Sequence, residues 1–106
     1  MTKNINESNS LVKASFEPAN CKVGVIHIGV GNFHRAHQAV YFNNILKNAS
    51  SNNWGIAGIN LRKEQSKLIM DLKKSNNNYI LKTVSAAGEA RHEEIKSIIE
   101  LYDWEI

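Results

Sequence analysis

Cysteine is almost absent from this sequence, and Cys21 stands alone. No internal disulfide can form, a cysteine-based zinc cluster is excluded, and a reducing compartment fits that usage. Long apolar runs are missing as well. Met1 to Asn20 is rich in Asn, Ser and Lys and holds no stretch long enough for a secretion signal or a membrane span. A cytoplasmic protein with no membrane contact is therefore the default expectation. A net charge of +3 and a pI of about 9.1 come without any basic stripe. Trp54, Tyr79 and Trp104 lie in strand-like or core-like settings instead of alternating with cations, which argues against a nucleic-acid partner. Internal repeats, low-complexity linkers and a second composition regime are also lacking, so 106 residues make one small domain at most. What is present is ordinary globular content, 42% hydrophobic and 22% charged, enough for a modest core.

Residues 1–20 read as a flexible N-terminal arm whose Leu11, Val12 and Phe16 pack loosely, with Pro18 marking the approach to ordered structure. Residues 21–106 hold the domain. Cys21 serves there as a small half-buried hydrophobe ahead of the first strand. Val23, Val25, Ile26 and Ile28 form a short, nearly continuous apolar run, which suits a parallel strand buried on both faces.

Gly29 and Gly31 interrupt that run. In a strand-turn-helix context the first glycine permits the tight exit and the second lets backbone N–H groups approach a pyrophosphate. The third glycine position of the dinucleotide fingerprint is His34, so helix and strand are held further apart than usual. His34, Arg35 and His37 all fall in the first helical turn, where cations oppose the helix dipole; a local rule broken three times in four residues points to a missing anion. A plain strand-to-helix turn without a ligand would use the same two glycines. His34 and His37 have a spacing that suits a metal, but nothing nearby completes a ligand set, so no metal site is expected.

A helix is predicted over His34 to Lys47, with Ala36, Ala39, Val40, Phe42, Ile45 and Leu46 as its apolar face. The polar run 48–53 is a loop. Trp54 to Leu61 reads as a second strand and Lys63 to Lys74 as a helix carrying Leu68, Ile69 and Leu72 on one side. Tyr79 to Ser85 is a strand, and Ala86-Ala87-Gly88-Glu89 a hairpin turn. The return segment, Arg91 to Ile99, is either a strand or a short helix. The order strand, helix, strand, helix, strand is the first half of a doubly wound α/β sheet, and a complete dinucleotide site needs two such halves.

These residues also carry a family resemblance. The run from Ile26 to Tyr41, through Gly29-Val30-Gly31-Asn32-Phe33-His34-Arg35, resembles the nucleotide-binding signature of the mannitol dehydrogenase family of polyol-specific dehydrogenases, which tolerates His at the third glycine position. Trp54 to Arg62 resembles the family's second strand and its exit, and Tyr79 to Val84 the strand after the next helix. The resemblance spans positions 22 to 104. It implies a partial Rossmann domain over residues 21–106, with the C-terminal substrate domain absent. It implies a cofactor site made of Ile28, Gly29, Val30, Gly31, Asn32, Phe33, His34 and Arg35 around the pyrophosphate, to which the reading of the second strand's exit adds Asn60 and Arg62. The family's catalytic lysine, with its Asn and His helpers, falls beyond the position matching Ile106. No catalytic residue is therefore assigned, and neither Lys82 nor His27 is promoted to that role.

For the intact protein the resemblance implies hydride transfer between a polyol, or a sugar acid of the fructuronate or tagaturonate type, and NAD. A non-catalytic nucleotide-binding or interaction module is the alternative. The choice between NAD and NADP turns on the end of the second strand. The usual acid lies about 20 residues past the glycines, whereas here 29 positions separate Gly31 from Asn60. The exit reads Asn60-Leu61-Arg62-Lys63-Glu64, with no acid at the tip. Asn60 or Glu64 would bond the ribose, while Arg62 and Lys63 remove repulsion of a 2′-phosphate, so NAD is expected with NADP tolerated. Equally, Arg62 and Lys63 read as solvated residues at a helix start.

Overall fold

The computed structural model describes residues 11–48 and 52–105. Three parallel strands form the layer that positions the site: β2 (Val23–Ile28), β3 (Gly55–Ile59) and β6 (Ile98–Tyr102), in the order β2-β3-β6. A second sheet, in the order β1-β5-β4, is made of β1 (Leu11–Val12), β4 (Tyr79–Val84) and β5 (Ala90–Ile95). Helices α1 (Asn32–Ala36), α2 (Gln38–Asn48) and α3 (Ser66–Lys74) complete the chain.

The strand buried on both faces is β3. Gly55 through Gly58 are buried, and the small residues of that strand let neighbours close in from both sides. A Cβ on Gly58 would sit 2.8 Å from Cγ2 of Val30, so glycine there is what allows Val30 to fold into the core. The expectation for β2 is corrected. It lies at the rim of the sheet, no strand pairs with its outer edge among the described residues, and Ile26 and Ile28 are 68% and 60% exposed. Ile26 and Ile28 share the face of β2 that is left open, while Val25 and His27 on the opposite face are half-buried; a doubly wound sheet carries helices on both faces.

The third parallel strand is also corrected. It is β6, while Tyr79–Val84 turns away into an antiparallel hairpin with β5, in register from Tyr79 opposite Ile95 to Val84 opposite Ala90. The turn falls where expected. Gly88 takes a φ of +87°, and the Ser85 and Glu89 backbones close it at 2.8 Å. Arg91 to Ile99 resolves into strand on both sides of a corner at Lys96 and Ser97. Within the stretch expected as an arm, Leu11 and Val12 pair in parallel with His92 and Glu93, and the Ala14 N–H donates to Glu94 Oε1 at 2.9 Å; residues 1–10 lie outside the described residues.

That corner is held by a polar side chain on the buried face of α2. Asn43, fully buried, donates through Nδ2 to the Glu94 carbonyl (3.0 Å) and accepts at Oδ1 from the Lys96 N–H (2.8 Å). Ser97, equally buried, donates through Oγ to the Ala39 carbonyl at 2.6 Å. Buried backbone groups need a partner wherever the ladder does not supply one; Asn43 serves the Glu94 and Lys96 backbones, and Ser97 ties the corner to α2. The apolar core around them is Val30, Ala39, Ile56, Ile69, Leu72, Ile95, Ile98 and Leu101.

The helix predicted over His34 to Lys47 is interrupted. His37, at φ −127° and ψ −76°, separates α1 from α2. Its ring Nδ1 lies 2.8 Å from the Phe33 carbonyl, and its own N–H bonds His34 at 3.3 Å instead. A side chain that claims the carbonyl due to its own backbone breaks the i to i−4 ladder. Helix α2 then restarts, with Ala39, Asn43 and Leu46 buried.

Candidate dinucleotide site

The chain leaves β2 through Gly29, whose φ of +100° is a left-handed value and whose N–H donates to the Ile59 carbonyl at 2.8 Å. That bond ties the exit of β2 to the exit of β3. Val30 turns inward and is buried. Gly31 caps α1 with its carbonyl, which accepts from the Arg35 N–H at 3.0 Å, and no side chain caps this end. Around Gly29 and Gly31 there is open space, for a Cβ on either would meet nothing within 4 Å. A cleft of about 290 Å³ opens there, lined by His27, Gly29, Gly31, Phe33, His34 and Gln38.

His34 is the unusual residue of the cleft. It is 4% exposed, and neither ring nitrogen has a hydrogen-bond partner among the described residues. Its ring stacks on His27 with centroids 3.8 Å apart and planes 10° apart. Burial, then the neighbouring His27, push its pKa down to about 4, with Arg35 adding in the same direction. The Gln38 side chain is close enough to oppose that shift without making a bond of good geometry. Phe33 is exposed and stacks on His37 at 4.3 Å.

Not all expected residues line the cleft. Arg35 is held aside: Nη2 donates to Asn32 Oδ1 at 2.5 Å, and its guanidinium lies 5.9 Å from the centroid of the Tyr79 ring. The Tyr79 hydroxyl donates to the Arg35 carbonyl at 2.6 Å, and burial pushes that phenol well above its ordinary pKa. Ile28 is exposed along the rim and Val30 belongs to the core.

At the exit of β3, Asn60 is 2% exposed and its side chain is engaged. Nδ2 donates to the Arg62 carbonyl (2.7 Å) and to Asp103 Oδ1 (2.8 Å), while Oδ1 accepts from the Arg62 N–H (3.1 Å). Both donors are thereby used within the protein. Asp103, just past β6, also accepts from the Trp104 N–H at 2.8 Å, and the bond from Asn60 above all holds its carboxyl below the usual range. Arg62 and Glu64 are exposed beside each other, 3.9 Å apart.

Sequence reasoning missed His27 and Gln38 as lining residues and Asp103 as the partner of Asn60. For His27 the only signal was a lone polar residue in an apolar strand, and for Asp103 there was none, since the contact spans two parallel strands. Among the described residues no group of three or more His, Cys, Asp or Glu is placed to hold a metal, and no helix is long and apolar enough to cross a membrane.

A parallel strand, a glycine turn with a left-handed first glycine, a helical return and a second parallel strand beside the first define the nucleotide-binding half of a doubly wound α/β fold. Residues 23–104 match a family model described as the mannitol dehydrogenase Rossmann domain. The chain belongs to the mannitol dehydrogenase family. It is 41% identical over 80 residues to D-arabinitol 4-dehydrogenase of Klebsiella pneumoniae, covering 76% of this chain and 17% of that protein. It is 32% identical over 106 aligned residues to D-mannonate oxidoreductase of Escherichia coli (strain K12), covering 90% of this chain and 22% of that protein. The fold superimposes on mannitol 2-dehydrogenase of Pseudomonas fluorescens, solved as a ternary complex with NAD and D-mannitol, with a TM-score of 0.82 at 30% identity, over 89% of this chain and 19% of that one. The chain thus spans roughly a fifth of the length of the proteins it matches.

Proposed function

We propose that this chain is the NAD-binding portion of an oxidoreductase that transfers a hydride between a polyol of the mannitol or arabinitol type and NAD. The observation that carries the reading is the Gly29–Gly31 turn at the carboxyl end of β2, open around both glycines and backed by the cleft with its buried, unpartnered His34. The likeness to a dehydrogenase solved with NAD and D-mannitol supports it. The residues fit a dinucleotide: the glycine backbone leaves room for a pyrophosphate, His34 lines the same cleft with both ring nitrogens unpartnered among the described residues, and Arg62 and Glu64 are exposed side chains just past the tip of β3. Asn60 supports that tip by fixing the turn on which Arg62 is carried.

The nicotinamide supplies the hydride chemistry when bound. These residues grip and orient, and none of them is given a catalytic role. The reading is tested by calorimetric titration of the chain with NAD, wild type against Gly31→Val. A branched side chain there fills the room left for the pyrophosphate, so the variant is expected to lose about a hundredfold in affinity, ~2.7 kcal/mol. Unchanged affinity moves the site elsewhere.

The likeness to D-mannonate oxidoreductase favours a second reading, the same domain in a sugar-acid reductase. An intact enzyme carrying this domain, assayed with arabinitol, mannitol and fructuronate, separates the two. A cytoplasmic setting is the compartment expected for either.

A further inference from the structure

We propose that His34, stacked on His27, is the proton-taking element of the diphosphate site: its imidazole binds a proton from solvent as the diphosphate enters, and the new N–H donates to a phosphate oxygen. The inference rests on the cofactor reading above and concerns what balances the ligand's charge.

His34 is 96% buried, by its 4% exposure, and lines the cleft beside Gly29 and Gly31. Neither of its ring nitrogens has a protein partner among the described residues. A neutral imidazole carries one donor and one acceptor. Burying both unused is unfavourable unless something else completes them. Burial first, and then the face-to-face stack on His27 at 3.8 Å, disfavour a charge on His34 while the cleft is empty. Two imidazolium rings so placed repel, and Arg35 on the same helix adds to that repulsion.

Among the described residues no carboxylate offsets it. The groups acting on His34 are His27 from β2, Arg35 on its own helix and the neutral Gln38 at the start of α2. Tyr79 from β4 faces Arg35, donating to its carbonyl and lying under its guanidinium. Arg35, engaged with Asn32 and Tyr79, is outside the lining of the cleft. The ionisable side chains that do face it are therefore His27 and His34, and an entering anion reverses their balance. It supplies acceptor oxygens for an N–H and negative charge in place of the repulsion. His34 stays uncharged while the cleft is empty and becomes cationic when it is filled.

The experiment is titration of the chain with NAD in two phosphate-free buffers of different ionisation enthalpy, repeated from mildly alkaline to mildly acidic pH. The expected result is a binding heat that depends on the buffer, corresponding to uptake of a fraction of a proton. Affinity should tighten by about three- to tenfold per pH unit lowered in the region of uptake. His34→Gln keeps hydrogen-bonding atoms but cannot titrate, and is expected to bind with buffer-independent heat and a flat pH profile. His27→Gln removes the like-charge neighbour and is expected to shift the uptake to higher pH, which keeps the test available if His34→Gln fails to fold. NAD binding to wild type with buffer-independent heat overturns the proton uptake and leaves the cofactor reading standing. Absence of NAD binding to a chain shown folded by circular dichroism overturns both.

Discussion

Gly29 and Gly31, two residues apart, do different things: one makes a turn that other residues resist, the other keeps a space clear. Gly29 sits at φ +100°, where an L side chain is strained whatever room surrounds it. Gly29→Ala is therefore expected to cost about 1–2 kcal/mol of stability in urea unfolding, whereas Gly31→Ala, at an ordinary φ with nothing near its Cβ, should leave the midpoint unchanged. His34 makes stability depend on pH. Its pKa is lowered in the folded state from 6.5 to about 4, so the unfolded chain takes up the proton first as pH falls. The contribution is complete above about pH 6.5 and is lost progressively towards about pH 4. The slope should approach ~1.4 kcal/mol per pH unit. Thermal unfolding across that range should show the loss in wild type and a shallower decline in His34→Gln. At the tip of β3, Arg62 is exposed and paired only at 3.9 Å with Glu64. Arg62→Ala is expected to weaken NADP by about tenfold, ~1.4 kcal/mol, with little change for NAD, and competitive titration of the two cofactors measures it.

Among the elements, the corner between β5 and β6 is where local sequence rules lose their hold. The strand β3, helix α3 and the β4–β5 turn were legible because apolar period, β-branched content and Gly88 all act within a few residues. Gly29 and Gly31 were legible for the same reason. The break at His37 was not, since it depends on a ring reaching back to the Phe33 carbonyl, a choice that periodicity does not encode. Nor was β6, because its pairing with β3 is set across more than forty positions of chain. Asn43 shows the difficulty most clearly: a polar residue on a helix reads as solvent-facing, yet it is fully buried and completes the Glu94 and Lys96 backbone groups at the corner. Asn43→Ala removes two buried bonds and leaves both backbone groups without a partner. A loss of about 2–4 kcal/mol follows, measurable by chemical denaturation, and Asn43→Leu, which restores volume without the bonds, should recover little of it.

For the molecule as a whole, the consequence of sheet order β2-β3-β6 is that the strand carrying the glycine turn is also the rim. Ile26 and Ile28 expose most of their surface on that strand, with Val23 37% exposed at its start. An unpaired parallel edge with apolar side chains is a template for further strand pairing. The same geometry that places Gly29 at an open cleft therefore leaves the chain prone to self-association, and the isolated chain is expected to be marginal and to oxidise neither mannitol nor arabinitol. Measured turnover of either polyol by the chain alone would overturn that expectation. Charged residues at the rim separate solubility from folding. Because Ile26 and Ile28 are already largely in water, Ile26→Lys with Ile28→Lys should change unfolding free energy by no more than about 0.5–1 kcal/mol. The same pair of changes places like charges along the edge, so light scattering should report less association at a given concentration. If association persists unchanged in the doubly substituted chain, the rim of β2 is not the surface responsible, and the hairpin edge at β4, where Ile80 and Val84 are exposed, becomes the next strand to charge.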